Sequence, residues 1–219
     1  MGHHGRVSIW AIVVAAGAGE RFGGPKQLMP LGDRRVLDYS VDAAVASCDG
    51  VVVVLAAGVS NDRADVRSVE GGPTRSDSVR AGLAALPTDV EIVVVHDAAR
   101  PLADHTLFER VVTAVRDGAD GAVPGLPIAD TVKEVRGDVV IATIPRDTLV
   151  TVQTPQAFRA SVLRAAHASG ANGTDDAAVV EAAGGRVVVV PGMVDNFKIT
   201  APADLERAAE RLAPREPRS

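Results

Sequence analysis

Short runs of β-branched residues alternate with alanine-rich segments along most of the chain. The apolar runs are almost continuous in Val and Ile, and they cover residues 9–16, 50–57, 90–98, 121–128 and 185–192. Continuous runs of this length are typical of parallel strands that are covered on both faces. The pattern therefore predicts a buried, parallel sheet.

The segments that separate and follow these runs carry apolar residues at helical spacing. They cover residues 34–47, 74–86, 103–118, 159–170 and 202–213. Strands that alternate with helices predict an α/β fold with a single doubly wound, mostly parallel sheet. Because no Gly/Ser linker divides the chain, we expect one domain over residues 7–213 and a disordered, Pro-broken tail at 214–219.

Residues 130–156 interrupt this alternation. Two short β-type pieces, at 131–135 and 139–144, flank a turn signal and predict a hairpin that projects from the sheet, as an arm at about 127–150. A two-stranded ribbon is only marginally stable alone. The arm is therefore either an ordinary edge hairpin or, as we favour, an element that packs on a second subunit.

Composition excludes several classes of protein. With 47% hydrophobic residues the 219-residue chain can form a packed core, and its net charge of −5 without a long basic run argues against binding nucleic acid or an anionic membrane. The lone Cys48 excludes an intramolecular disulfide, and we expect it to be a buried, inert thiol. No apolar stretch reaches the ~20 residues of a membrane-spanning helix. No signal-peptide pattern is present, so we expect a cytoplasmic protein.

A glycine-rich stretch, GAGERFGGPKQ at 17–27, follows the first strand. Ligands of open α/β sheets bind at the carboxyl ends of the strands. Glycines there would let backbone N–H groups approach a phosphate, and Arg21 and Lys26 would meet its oxygens. The spacing matches neither the dinucleotide pattern G-x-G-x-x-G nor the Walker pattern. Taken alone, the stretch is equally consistent with a structural turn.

Polar residues also follow other predicted strands. In HDAARP (96–101), Asp97 is a candidate Mg²⁺ ligand and Arg100 a candidate site for a second anion, although a helix-capping Asp with a surface Arg is the alternative. The stretch GGPTRSDSVRAGL (71–83) either caps a helix or reads a base. Lys198 follows the last strand, where a lone lysine is usually solvated. We interpret His96 as structural.

Seven short motifs follow one another along residues 9–212, namely AAGAGERFGGPKQ, GGPTRSDSV, HDAARP, PIADTVKEV, TPQAF, GTDDAAVVE and DNFKIT followed by PADL. As an ordered set, they resemble the 2-C-methyl-D-erythritol 4-phosphate cytidylyltransferases of the non-mevalonate isoprenoid pathway. The resemblance implies a Rossmann-like nucleotidyltransferase fold. It also implies transfer of a cytidylyl group from CTP to 2-C-methyl-D-erythritol 4-phosphate, with release of pyrophosphate.

For the nucleotide, the resemblance implies that Arg21 and Lys26 are the catalytic cations. The residues that it places around CTP, largely through backbone groups, are Ala15, Ala16, Gly17, Gly19, Gly72, Ser78 and Ala98. It places Mg²⁺, or another divalent cation, near Asp97, with Asp195 assisting.

For the polyol phosphate, the resemblance implies a site shared within a homodimer. Arg100, Thr174 and Lys198 match the contribution of one subunit, whereas Thr131 and Arg146, on the arm, match residues contributed by the neighbouring subunit. The arm would then complete the partner's active site.

The chain departs from the family pattern at two positions: the family often has Pro in place of Val14 and an acidic or polar residue in place of Pro73. Neither change removes a charged group, but Pro73 bears on the turn that reads the base. The alternatives are a cytidylyltransferase for ribitol 5-phosphate or another polyol phosphate, a nucleotide-binding module without catalysis, and a structural or interaction protein. The last would leave the cations and acids at the sheet edge without a role.

Overall fold

The computed structural model describes residues 7–19 and 22–213. The strands, in chain order, are β1 (Ile9–Ala15), β2 (Pro30–Leu31), β3 (Arg34–Arg35), β4 (Gly50–Leu55), β5 (Arg67–Glu70), β6 (Ile92–Asp97), β7 (Gly121–Pro127), β8 (Val132–Arg136), β9 (Val139–Ile144), β10 (Val150–Val152), β11 (Gln156–Arg159) and β12 (Val187–Pro191). The helices are α1 (Val36–Val45), α2 (Arg75–Ala85), α3 (His105–Arg116), α4 (Ala160–Ala168), α5 (Asp176–Ala182) and α6 (Pro202–Leu212).

Most strands pair into one central, mainly parallel sheet. Its order is β5-β4-β1-β6-β11-β7, and β7 also pairs with β10 and β12. Strand β1 runs parallel to both β4 and β6, so the chain leaves the centre of the sheet in two directions. Such a reversal of strand order opens a crevice at the carboxyl ends of the central strands, where α/β proteins bind ligands.

The predicted fold class is confirmed. The five apolar runs form β1, β4, β6, β7 and β12, and the five predicted helices form α1, α2, α3, α4 and α6. The sequence did not predict the two-residue strands β2 and β3, nor β5, β10, α5 and the antiparallel strand β11, which fits between β6 and β7. These elements are short or polar, and their pairing depends on neighbours that are distant in sequence.

Side chains from the two faces of the sheet form two apolar layers. Along β1, Ala11 and Val13 pack in the layer that contains Phe108 of α3, whereas Ile12 packs in the layer that contains Leu163 of α4. This double coverage explains why the predicted strands read as continuous apolar runs. Cys48 is partly and not fully buried, on the margin of one of these layers. Burial raises the pKa of its thiol to about 12, so it stays protonated at neutral pH.

The predicted arm is a separate hairpin. Among the described residues, β8 and β9 pair only with each other, and Gly137, at a φ of +62°, forms the turn between them. Four apolar residues around the turn of the arm are between 49% and 61% exposed, namely Val135, Val139, Val140 and Ile141. The arm's packing on a second subunit stays a prediction.

None of the helices within residues 7–19 and 22–213 combines the length and the apolar character that a bilayer crossing requires. The disorder predicted for the tail at 214–219 concerns residues outside the described part of the chain.

Candidate active site

A cavity of about 460 Å³ opens at the carboxyl ends of β1 and β6. Its walls are the end of β1 with the loop that follows (14–19), the turn into α2 (72–75) with Ser78, and the end of β6 with the two residues that follow (97–99). Lys26, Gln27 and Lys198 complete them. The cavity therefore brings together three segments that the sequence had singled out separately.

The glycine-rich loop closes on itself. The carbonyl oxygen of Gly19 accepts hydrogen bonds from the amides of Phe22, Gly23 and Gly24, at 2.8, 3.0 and 3.2 Å. Gly19 has a φ of +70°, and a Cβ atom there would lie 1.8 Å from the carbonyl oxygen of Gly24. Only glycine fits this position, because both the backbone conformation and the close approach exclude a side chain. The loop is thus a tight turn that also forms a wall of the cavity.

Gln27 fastens this loop to the end of β1. Its side-chain amide is 4% exposed, and Nε2 donates to the carbonyl oxygens of Ala15 and Gly17 at 2.8 and 2.9 Å. Both hydrogens of the amide group are thereby used. The neighbouring Lys26 is held at the cavity wall by the same short helical turn. The predicted catalytic residue Arg21 lies outside the described residues.

The turn into α2 is fixed by a reciprocal cap. Thr74 Oγ1 accepts from the amide of Asp77 at 3.0 Å, and the Asp77 carboxylate accepts from the amide of Thr74 at 3.1 Å. A Cβ atom at Gly72 would lie 2.3 Å from that of Asp77, so glycine is required. Capping is thus the role of Asp77, while Gly72 and Ser78 face the cavity.

Asp97 ends β6 at the cavity wall, and two cations bind its carboxylate. Arg75 donates Nε and Nη2 to Oδ1, both at 3.2 Å, and Lys198 Nζ donates to Oδ2. Burial by itself would raise the pKa of this carboxyl, but Arg75 and Lys198 outweigh burial and hold the pKa well below its usual range. Asp97 therefore pairs with cations instead of capping a helix, and Lys198 is not simply solvated.

His96, which precedes Asp97, is fully buried. Its Nδ1 lies 3.1 Å from Thr154 Oγ1, and its Nε2 lies 3.3 Å from the carbonyl oxygen of Arg100. Burial lowers the pKa of the imidazole to about 4. A neutral, hydrogen-bonded ring below the cavity fits the structural role expected for it.

Comparison with known proteins assigns the chain to a family. The family model IspD, described as 2-C-methyl-D-erythritol 4-phosphate cytidylyltransferase, matches residues 9–213. The chain belongs to the IspD family.

Two relatives illustrate the range of the IspD family. The chain is 47% identical over 218 residues to a 2-C-methyl-D-erythritol 4-phosphate cytidylyltransferase of Frankia casuarinae, with 94% of this chain and 82% of the relative covered. It is 43% identical over 217 residues to a bifunctional enzyme IspD/IspF of Granulibacter bethesdensis. That match covers 94% of this chain but only 56% of the relative, so the chain spans little more than half of the bifunctional protein.

A solved structure agrees with the family assignment. The crystal structure of 2-C-methyl-D-erythritol 4-phosphate cytidylyltransferase from Thermus thermophilus matches with a TM-score of 0.80 and 34% identity, over 91% of this chain and 96% of that one.

The IspD cavity contains most of the residues predicted for the nucleotide. The predicted residues that line it are Ala15, Ala16, Gly17, Gly19, Lys26, Gly72, Ser78, Asp97, Ala98 and Lys198. They come from four segments of the chain but meet at one sheet edge, because parallel strands align their carboxyl ends.

Most residues predicted for the acceptor lie outside the cavity wall. Arg100 donates to the carbonyl oxygens of Asn196 and Val152, at 2.8 and 3.4 Å, and burial lowers its pKa although Asp97 opposes the shift. Thr174 is exposed just before α5. On the arm, Thr131 is exposed and Arg146 donates to the carbonyl oxygen of Ala129.

The donor set of the cavity offers a metal ion little protein ligation. Within the described residues, no cluster of three or more His, Cys, Asp or Glu side chains could hold a metal. Asp97 supplies one carboxylate, whereas Asp195 lies off the cavity wall and pairs with Arg211 at 3.2 Å. A divalent ion here would take most ligands from substrate phosphates and water, as Mg²⁺ often does.

Of the cavity residues that were not singled out from the sequence, Arg75 and Gln27 make the side-chain contacts that matter most here. Arg75 and Gln27 both stand inside motifs quoted above, in GGPTRSDSV and GGPKQ. An arginine at the first turn of a helix that starts at the sheet edge was the available signal for Arg75. Its carboxylate partners, Asp97 and Asp176, are 22 and 101 residues away along the chain, so spacing could not reveal them.

Proposed function

We propose that this protein transfers the cytidylyl group of CTP to 2-C-methyl-D-erythritol 4-phosphate, with release of pyrophosphate, in the synthesis of isoprenoid precursors. The observation that carries the proposal is the cavity that Lys26 and Lys198 line at the carboxyl ends of β1 and β6, in a chain that matches the IspD family over residues 9–213.

The reaction needs positive charge more than it needs a base. A phosphate oxygen of the acceptor forms a bond to the α-phosphorus of CTP as the bond from that phosphorus to the bridging oxygen breaks, and pyrophosphate leaves with the electron pair. Because the nucleophile is already an anion, no proton has to be removed from it. The barrier lies in bringing two polyanions together while charge develops on the α-phosphate.

The loop after β1 and its cations meet this requirement. The amides around Gly17 and Gly19 would hold the triphosphate, with the Gln27 amide group keeping the loop in place. Lys26, together with Arg21, would stabilise the pentavalent phosphorus centre. The small residues Ala15, Ala16, Gly72 and Ala98 leave room for the cytosine and ribose, and Ser78 adds a hydroxyl at the cavity wall.

A divalent cation, Mg²⁺ in the first instance, would neutralise part of the triphosphate charge, and Asp97 is the carboxylate at the cavity that would face it. Asp195 would assist only after leaving Arg211. Asp97 also holds Lys198 at the cavity wall through their ion pair.

The acceptor site extends the proposal to a homodimer. Lys198, Arg100 and Thr174 would bind the polyol phosphate from one subunit, and the arm of a second subunit would bring Thr131 and Arg146. Two features support this arrangement: the arm exposes apolar side chains, and neither of its two residues lines the cavity of its own chain. A dimer would cover the arm and complete the site at once. The protein would act in the cytoplasm.

Pyrophosphate release tests the proposal directly. The purified chain is incubated with Mg²⁺ and CTP, and 2-C-methyl-D-erythritol 4-phosphate or ribitol 5-phosphate is added in parallel. We expect release with the first acceptor alone. Release with ribitol 5-phosphate alone would show that the acceptor is wrong and that cytidylyl transfer is right. No release with either acceptor would refute the proposal that the chain is an active cytidylyltransferase.

A further inference from the structure

Arg75 bridges two carboxylates that belong to different elements of the fold. It is the first residue of α2, and it contacts Asp97 at the end of β6 through Nε and Nη2, both at 3.2 Å. Its Nη1 donates to Oδ2 of Asp176, the first residue of α5, at 2.8 Å. The guanidinium thus uses two of its edges at once, which only the fork of an arginine permits.

A buried histidine of α4 holds the Asp176 carboxylate at its other oxygen. Asp176 is 1% exposed, and its Oδ1 lies 3.1 Å from Nε2 of His167 on α4, which is 2% exposed. The other ring nitrogen, Nδ1, is buried without a hydrogen-bond partner among the described residues. The Nε2–H tautomer suits this arrangement, because it donates to Asp176 and leaves only a lone pair at Nδ1. His167 therefore orients the carboxylate, whose charge Arg75 balances.

The Asp97 end reaches the cavity. Arg75 occupies Oδ1 of Asp97, so Lys198 meets the other oxygen, Oδ2. If Arg75 were lost, Lys198 would be the hydrogen-bonded cation left to balance the charge of a buried carboxylate, and the two would be held together more strongly. A lysine held in that way is less available to a substrate phosphate.

The same bridge lies next to the segments of both substrates. Asp176 follows Thr174 by two residues, and Arg75 precedes Ser78, on the proposed CTP side, by three. Another residue of α2, Ser76, accepts a hydrogen bond from the amide of Gly173 at 3.4 Å. The start of α2 therefore supports the segment that carries Thr174 as well as the turn that faces the nucleotide.

Arg75 shares the support of this segment with Arg80. Arg80, also on α2, donates to the carbonyl oxygen of Ala171 at 3.1 Å and to Asn172 Oδ1 at 3.2 Å, and it pairs with Asp77. None of these contacts involves Asp97. Arg80 thus supports the segment at residues 171–172, Arg75 supports it at Asp176, and the contact with Asp97 is what distinguishes Arg75.

We propose that Arg75 is a positioning residue that sets Lys198 through Asp97 and the Thr174 segment through Asp176, and so aligns the acceptor with the bound nucleotide. This inference rests on the proposed function, because the acceptor side chains are assigned there. It adds a residue that acts through others and does not itself react.

The test compares Arg75→Met with Arg80→Met in the full chain. CTP affinity is measured by calorimetry without acceptor, and kcat and the acceptor KM are measured by pyrophosphate release. For Arg75→Met we expect the acceptor KM to rise roughly 10- to 100-fold, which is the effect of losing one charge-assisted contact. CTP affinity should stay within about twofold of the wild type. Arg80→Met loses contacts with the Thr174 segment but none with Asp97, so its acceptor KM should rise less than that of Arg75→Met, by about threefold, with CTP affinity kept.

Equal changes in the two variants would overturn the proposal, as would an Arg75→Met variant that loses CTP affinity and acceptor affinity alike. If Arg75→Met does not fold, Arg75→Lys replaces it: a lysine keeps the charge but cannot bridge both carboxylates, so the rise in acceptor KM should persist. An Arg75→Lys variant with the wild-type acceptor KM would refute the bridge.

A double-mutant cycle with Asp176→Asn tests the contact between Arg75 and Asp176. Because Arg75 and Asp176 act through each other, the rise in acceptor KM in the double variant should be smaller than the product of the single effects. Multiplicative effects would overturn the coupling. The wild type is assayed first, and no turnover with either acceptor would overturn both proposals. If the wild type turns over but Arg75→Met does not raise the acceptor KM with CTP affinity kept, only the role of Arg75 is overturned.

Discussion

Replacing Gly19 with alanine tests whether the closed loop after β1 is needed for catalysis. A Cβ atom at Gly19 would lie 1.8 Å from the oxygen and 2.7 Å from the carbon of the Gly24 carbonyl. Both are backbone atoms, so the clash cannot be relieved by a side-chain rotation. The loop has to open, and the three hydrogen bonds that the Gly19 carbonyl accepts are then disrupted.

Gly23→Ala is the matched control. Gly23 lies in the same loop and has a φ of +86°, but a Cβ atom there would meet nothing within 4 Å. Both variants carry the strain of a left-handed residue, about 1–2 kcal/mol. Gly19→Ala also loses two to three hydrogen bonds at about 1 kcal/mol each. The difference of about 2–3 kcal/mol corresponds to a kcat/KM roughly 30- to 150-fold lower for Gly19→Ala than for Gly23→Ala.

The assay is pyrophosphate release with CTP and acceptor, alongside thermal unfolding. The strain and the lost hydrogen bonds also lower the free energy of unfolding, and a loss of about 1 kcal/mol lowers the Tm of a domain of this size by about 2–4 °C. We therefore expect Gly19→Ala to unfold at a lower temperature than Gly23→Ala, and kcat/KM is compared well below both transitions. Equal kcat/KM values in the two alanine variants, or a Gly19→Ala enzyme as active as the wild type, would refute the closed-loop argument.

Three further predictions follow from the site and the fold. Lys26→Ala should lower kcat by roughly 100-fold or more with a smaller change in the CTP KM, because its charge is needed most in the transition state; a raised KM with unchanged kcat would contradict this. Arg146→Ala should abolish most acceptor use while CTP binding, followed by calorimetry, is kept; Arg136→Ala, nearer the tip of the arm, is the control, and full turnover of Arg146→Ala would exclude a shared site. His96 should make the free energy of unfolding fall by about 3 kcal/mol as the pH drops from about 6.5 to about 4, because the unfolded imidazole takes up a proton in that window while the buried one, with a pKa of about 4, resists it. Denaturant titrations of the wild type and His96→Gln should therefore diverge in slope against pH, and parallel profiles would argue against this role.

Several parts of the site could be predicted from the sequence. A glycine-rich loop after the first strand and an Asp-Ala-Ala-Arg stretch at the end of the third predicted strand predict polar groups at one sheet edge, and the cavity contains Lys26 and Asp97 as expected. The sequence left the roles of Asp77 and Lys198 open. An Asp that caps a helix and an Asp that reads a base have the same local sequence, and so do a solvated lysine and a paired one. Contacts with Thr74 and with Asp97 separate these alternatives.

The sequence by itself determined the alternation of strands and helices, the projecting hairpin and the family, because period, β-branched content and motif order are local properties that survive without coordinates. Only the tertiary structure decided that β11 enters the sheet antiparallel between β6 and β7, and that Arg75 joins Asp97 to Asp176. These features depend on which elements pack side by side. The free energy that selects such pairings comes from burial and charge compensation between segments far apart in the chain, and no local pattern records it.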